Sequence, residues 1–166
     1  MAAIGCGGTP VTAAVRQVDL PRSARELSTL PRIDYCDAFL FAVGSTHDES
    51  AEDLIREVLE GAPLAVRTQL LSGWSSIGLK VRNTSERSVL GWEVRRTRPD
   101  HVLLGADSHI GMPGELLLRK EGDALLFATF VAQRNLLARA VWTLTEPVHV
   151  RVVRDILSRA SERLRA

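Results

Sequence analysis

The sequence predicts an α+β fold, a curved antiparallel sheet around a long C-terminal helix, from three observations. Residues 90–133 hold four apolar segments separated by short polar turns. Residues 136–164 then change to a repeat of three to four, with arginines opposite the apolar positions. One alternating strand and two short helical patterns stand ahead of both. Such a sheet and helix enclose space, and apolar enclosed space suits a small hydrophobic ligand.

Residues 1–14 are small and Gly-rich, without the basic flank and apolar core of a secretory signal, and are expected to form a disordered tail. The remainder, residues 15–166, is expected to form a single domain. Pro21 and Pro31 make residues 11–33 an extended lead-in with one helical turn at 23–27. From Asp34 the chain alternates. Tyr35, Asp37, Phe39, Phe41 and Val43 share one face, and Cys36, Ala38, Leu40 and Ala42 the other. Both faces are largely apolar, so this strand should be covered on two sides. Gly44, Ser45 and Thr46 close it.

Ser50 and Asp53 then make a variant capping box, with acids in the first turn where the helix dipole favours them. Ala51, Leu54, Ile55, Val58 and Leu59 follow at helical spacing until Gly61 and Pro63. Pro63 opens a second short helix carrying Leu64, Val66, Leu70 and Leu71, which should stop at Ser72 and Gly73. Strands are predicted over 90–97, 101–108, 115–120 and 124–133, and 80–89 is a candidate for one more. Their connections are short enough to join only antiparallel neighbours. Trp92 with Val94, and Phe130 with Leu126, are assigned to the inward face. In the tail helix Leu136, Leu137, Ala140, Val141 and Leu144 form one apolar stripe, and Val148, Val152, Ile156, Ala160 and Leu164 a second. Pro147 should kink or break the helix between them.

Composition excludes several function classes. The net charge of +1 gives no general attraction to nucleic acid. No run of apolar residues reaches the roughly 20 that span a bilayer. Two cysteines, Cys6 and Cys36, argue against a disulfide framework and fit a reducing cytoplasm. Six acids against one Arg over 48–60, and seven Arg against three acids over 134–166, read as solvated helix faces. Neither a Walker nor a dinucleotide fingerprint occurs, so no cofactor is assigned. The His and carboxylate spacing is too sparse for a metal site.

Several stretches together resemble a bacterial family of the START-like, polyketide-cyclase superfamily. They are Arg32-Ile33-Asp34-Tyr35 with Asp37-Ala38-Phe39, Gly91-Trp92-Glu93-Val94, Leu103-Leu104-Gly105 into Asp107-Ser108-His109, and Arg134-Asn135 with Trp142, Pro147 and His149. That family is known as a domain of unknown function. The resemblance covers about residues 15–165 and implies the helix-grip fold and a cavity, without a substrate.

Asp107 and His109 are the catalytic candidates. Two apart on a strand, they share a face, and a carboxylate beside an imidazole suits acid–base chemistry. The same alternation puts Val102, Leu104, Ala106 and Ile110 on the apolar side, which leaves the pair facing solvent or a turn. His149, beside Pro147, is a candidate to meet Asn135, His109 and Asp37 at a cavity mouth, or else to cap free backbone groups together with Asn135. The aromatic set of Trp74, Trp92, Phe127, Phe130 and Trp142 supplies the candidate lining, with Asn135 and His149 as polar anchors. Three functional readings follow: a binder of a small apolar molecule, a cyclase, dehydratase or hydrolase using Asp107 and His109, and a protein-interaction module whose pocket is filled.

Overall fold

The computed structural model describes residues 14–45, 48–81 and 87–166. Seven strands form one antiparallel sheet: β1 (Val15–Gln17), β2 (Tyr35–Ala42), β3 (Ser88–Val89), β4 (Trp92–Thr97), β5 (His101–Ala106), β6 (Gly114–Glu121) and β7 (Ala124–Val131). Their order is β1-β2-β7-β6-β5-β4-β3. Helices α1 (Arg22–Arg25), α2 (Ala51–Leu59), α3 (Leu64–Ser76) and α4 (Leu136–Arg165) complete an α+β architecture with a long final helix. The tail expected over 1–14 lies outside the described residues, Ala14 excepted, and so do residues 82–86 of the strand proposed over 80–89, of which Ser88 and Val89 form a strand.

The sheet is buried on both faces. Phe39, Phe41, Leu104, Leu116, Leu118 and Phe127 point to the side of α2 and α4. Ala38, Leu103, Leu117, Leu126, Ala128 and Phe130 point to the other side, beneath Val18, Leu20, Leu27, Leu30 and Ile33 of the lead-in. Period-two alternation with both sets apolar produces this double burial. Phe130 is fully buried but on the outer face, so its assignment beside Trp92 is corrected by register. Asp37 pairs with Thr129 and Cys36 with Phe130, which sends the odd residues of β7 inward. The strand is apolar on both sides, so hydrophobicity alone does not distinguish its faces.

A buried carboxylate fastens the lead-in to that outer face. Glu115 on β6 has no solvent exposure. It accepts hydrogen bonds from Ser28 Oγ at 2.5 Å, from Thr29 N at 3.1 Å and from the Thr29 hydroxyl. Arg95 Nη1 reaches the same carboxylate at 3.1 Å. Arg95 occupies a register shift between Val94 and Arg96, a β-bulge that turns its side chain across Gly105. A Cβ at Gly105 would lie 2.0 Å from Arg95 Nε, so only glycine leaves the guanidinium a path.

Elsewhere the elements differ from expectation in several places. The first strand of the meander begins at Trp92, because Leu90 (φ 44) and Gly91 (φ 85) form the two-residue turn between β3 and β4. Two positive φ angles match the twist of a tight hairpin, and a Cβ at Gly91 would strike Val81 O at 2.1 Å. Helix α3 continues past Gly73 to Ser76. Helix α4 runs unbroken through Pro147, capped by Asn135, whose Oδ1 accepts from Ala138 N at 2.8 Å. Packing on both sides of the proline holds it, through Ala138 and Trp142 before and Val153, Ile156, Leu157 and Ala160 after. Two further bonds anchor the C-terminal half: Ser161 Oγ donates to Ala42 O at 2.6 Å, and Arg163 pairs with Glu57 of α2 at 2.9 Å. The ion pair brings the acidic and the arginine-rich segments together at one point.

Phe130→Ala tests the double-sided sheet. It should cost about 3 to 5 kcal/mol by leaving a cavity in the outer layer, and thermal or urea unfolding measures it; a near-wild-type midpoint contradicts this packing.

Candidate functional site

The inner face carries a cavity of about 380 Å³ between the sheet, α3 and α4. Its position follows from the helix pattern. In the C-terminal half of α4 the buried stripe is Val153, Ile156, Leu157 and Ala160, which packs directly on the core. This stripe is rotated from the expected one, so Val148 and Val152 turn toward the cavity, as does Leu144. Leu144 and Val148 remain 81% and 55% exposed, and they give the cavity an apolar rim. Leu136 and Leu137, expected in the first stripe, are exposed instead.

Three of the aromatic candidates line this space: Trp74 from α3, Trp92 from β4 and Trp142 from α4. Trp74 and Trp92 meet edge to face, with ring centroids 5.3 Å apart, a favoured quadrupolar arrangement. Phe127 borders a smaller pocket of about 40 Å³ nearby, next to His149 and Val152. Phe130 lies on the opposite side of the sheet. Asn135 does not reach the cavity; besides capping α4 it donates from Nδ2 to Ile110 O at 2.9 Å.

Asp107 and His109 do not form a pair. The chain leaves β5 after Ala106, so the strand alternation that would align them ends first. Asp107 is exposed and bonds Arg95 Nη2 at 3.1 Å. His109 is also exposed, and its backbone N–H donates to Gly78 O at 2.8 Å. Among the described residues no hydrogen bond joins the two side chains.

The polar group the fold does assemble is Tyr35, Asp37 and His149. Tyr35 and Asp37 are two apart on β2 and face inward together, as strand periodicity requires. His149 comes down from α4, and its Nε2 lies 2.9 Å from Asp37 Oδ2. The Tyr35 hydroxyl donates to the same oxygen at 2.8 Å. Trp142 packs against the group at a tilt, its ring centroid 4.7 Å from that of Tyr35 and 5.2 Å from that of His149. The Asp37 side chain is 1% exposed and that of His149 14%. A carboxylate accepts only, so the proton shared with His149 resides on Nε2.

This group is incompletely satisfied. Asp37 Oδ1 and Thr129 Oγ1 are buried and have no partner among the described residues, although the two residues sit directly across from each other on β2 and β7. The indole nitrogens of Trp92 and Trp142 are likewise buried and unpaired. Burial raises the Tyr35 phenol above its ordinary value, and the negative charge of Asp37 adds to the effect. On the outer side of the sheet, the Gln133 N–H holds the Asp34 carboxyl below its ordinary value. Among the described residues no His, Cys, Asp and Glu cluster has the form of a metal site. None of their helices is long and apolar enough to cross a membrane.

His149 and Asp37 are each legible as candidates in the sequence, but Tyr35 reads there only as a strand residue. The signal that finds it is the Tyr-x-Asp spacing, which commits a phenol and a carboxylate to one strand face. No family model, curated protein or solved structure matches the chain.

Two measurements check the site. Tyr35 is the sole tyrosine, so tyrosinate absorbance reports it alone. Its neutral form is favoured in the folded state, so the stability it contributes is complete below the ordinary value of 10.0 and is lost as pH rises above it. The folded protein should therefore show no half-ionised tyrosine at pH 10, and half-ionisation there would contradict the buried bond to Asp37. Thr129→Val replaces an unpaired hydroxyl with a methyl, and should change the unfolding free energy by less than about 1 kcal/mol; a large loss would reveal a partner for that hydroxyl.

Proposed function

We propose that the chain is a helix-grip domain of the START-like type that binds a small hydrophobic molecule between its sheet and α4, and that it works in the cytoplasm, where a free thiol such as Cys36 persists. One observation carries the reading. The inner face encloses about 380 Å³ lined by three tryptophans, Leu70, Leu116 and Val131, with few polar groups. Volumes of a few hundred Å³, mostly apolar with a small number of polar anchors, are typical of small-molecule sites. The antiparallel order of the sheet and the long C-terminal helix accord with the resemblance in the sequence. Leu144 and Val148 at the rim offer an apolar molecule an apolar entry.

The enzyme reading that used Asp107 and His109 loses its support, since both are exposed, Asp107 pairs with Arg95, and no hydrogen bond joins the two side chains among the described residues. A filled-pocket interaction module is disfavoured by the open volume itself.

An apolar fluorophore should bind with one-to-one saturation and raise the melting temperature, because a ligand that binds only the folded state stabilises it. Val148→Trp places a large ring at the rim of the cavity, on a side chain already half exposed, and should weaken binding about tenfold or more while melting stays within a few degrees. Saturable binding unchanged in Val148→Trp would locate the ligand elsewhere.

A further inference from the structure

Resting on the ligand-cavity reading, we propose that His149 is a proton-transfer residue and that the cavity is an active site for an apolar carbon acid. The substrate class is a flat, ring-sized molecule whose C–H is acidified by a neighbouring carbonyl or similar electron-withdrawing group. His149 is the single ionisable side chain in the wall of the larger cavity among the described residues; everything else there is apolar or uncharged. Its Nε2 is fixed at 2.9 Å by a carboxylate that is itself almost wholly buried. Its Nδ1 has no hydrogen-bond partner among the described residues, yet is not one of the buried unpaired atoms, so it remains accessible. An oriented imidazole with one nitrogen tied and the other open is the arrangement a general base requires.

The buried carboxylate also needs an explanation. Taking Asp37 out of water is costly, and Oδ1 recovers none of that cost through a bond. Tyr35 and His149 both bond Oδ2. Such a group contributes little to packing, but it fixes the ring orientation and favours the imidazolium that forms when Nδ1 takes a proton. Asp37 is thus a positioning residue, and Tyr35 holds Asp37 in turn.

The step balances without another reactant. The Nδ1 lone pair takes the proton, the C–H electron pair forms a C=C bond, and the carbonyl π pair moves to oxygen as an enolate. Return of the same proton to a conjugated carbon gives an isomer and restores neutral His149. The charged groups facing the ring are Asp37 and, through the phenol, Tyr35 from β2, with Glu146 on α4 also acting on Tyr35.

The probe is 5-nitrobenzisoxazole, a flat apolar carbon acid. Removal of its C3 proton breaks the N–O bond and leaves the electron pair on a coloured phenolate, the carbon and nitrogen becoming a nitrile. Wild-type protein should turn it over with saturation, at a rate rising with pH along one ionisation. His149→Gln should lower that rate about 100-fold or more. Asp37→Asn should lower it and move the midpoint to lower pH, since the imidazolium loses its carboxylate, a shift that a purely structural role would not produce. His109→Gln should leave it unchanged. Melting curves establish that each variant is folded, and if His149→Gln is not, the wild-type profile and the Asp37→Asn shift decide. Quenching of tryptophan fluorescence by the probe without turnover would overturn proton transfer and keep the ligand-binding reading. Absence of any binding would overturn both, and turnover persisting in folded His149→Gln would overturn the role of His149.

Discussion

Both faces of the sheet are apolar, and that single constraint governs where every other element goes. A sheet of this kind is stable in water only when covered twice, each buried Leu, Val or Phe contributing roughly 1.5 to 3 kcal/mol. The chain covers the inner face with α2 and α4 and the outer face with its own lead-in. Because the lead-in has little regular structure, it is fastened by the Glu115 carboxylate to Ser28, Thr29 and Arg95. The bulge at Arg95 and the glycine at 105 serve that fastening.

The inner cover is incomplete, and the cavity is the consequence. Helix α4 is tight against the core from Val153 onward, where Ile156, Leu157 and Ala160 pack and Ser161 bonds β2. Toward its N-terminus the side chains that face the sheet are large rings and exposed aliphatics, and space opens beneath them. Where these two regimes meet, His149 reaches Asp37. That bond secures the helix just beyond Pro147, where a backbone hydrogen bond is missing. Structure and proposed chemistry thus share one pair of residues.

Much of the architecture could be read from the sequence because its signals are local. The capping box at Ser50 and Asp53 forms as written, with Asp53 N bonded to Ser50 Oγ at 3.1 Å, and the helix it opens ends at Leu59 before Gly61. Period-two runs placed β2, β5, β6 and β7 to within a few residues. What failed depended on long-range contacts. The orientation of Phe130 follows from pairing between β2 and β7, which are distant in sequence. The stripe of α4 reads with Val148 and Val152 packed on the sheet, whereas they line the cavity and Val153 and Leu157 join Ile156 and Ala160 in the packed set, because both sets share the same helical period. The candidate pair Asp107 and His109 assumed a strand that ends one residue before it. The three cavity tryptophans and His149 were legible as lining, while the bond from His149 to Asp37 becomes visible only once α4 lies over β2.

Imidazole nitrogen NMR tests the central claim most directly, with His149 assigned by comparison with His149→Gln. At a pH where the ring is neutral, the account predicts the single tautomer protonated at Nε2, and an Nδ1 resonance that shifts when an apolar ligand enters the cavity. A ring averaging between tautomers, with an Nδ1 resonance unmoved by saturating ligand, would contradict it.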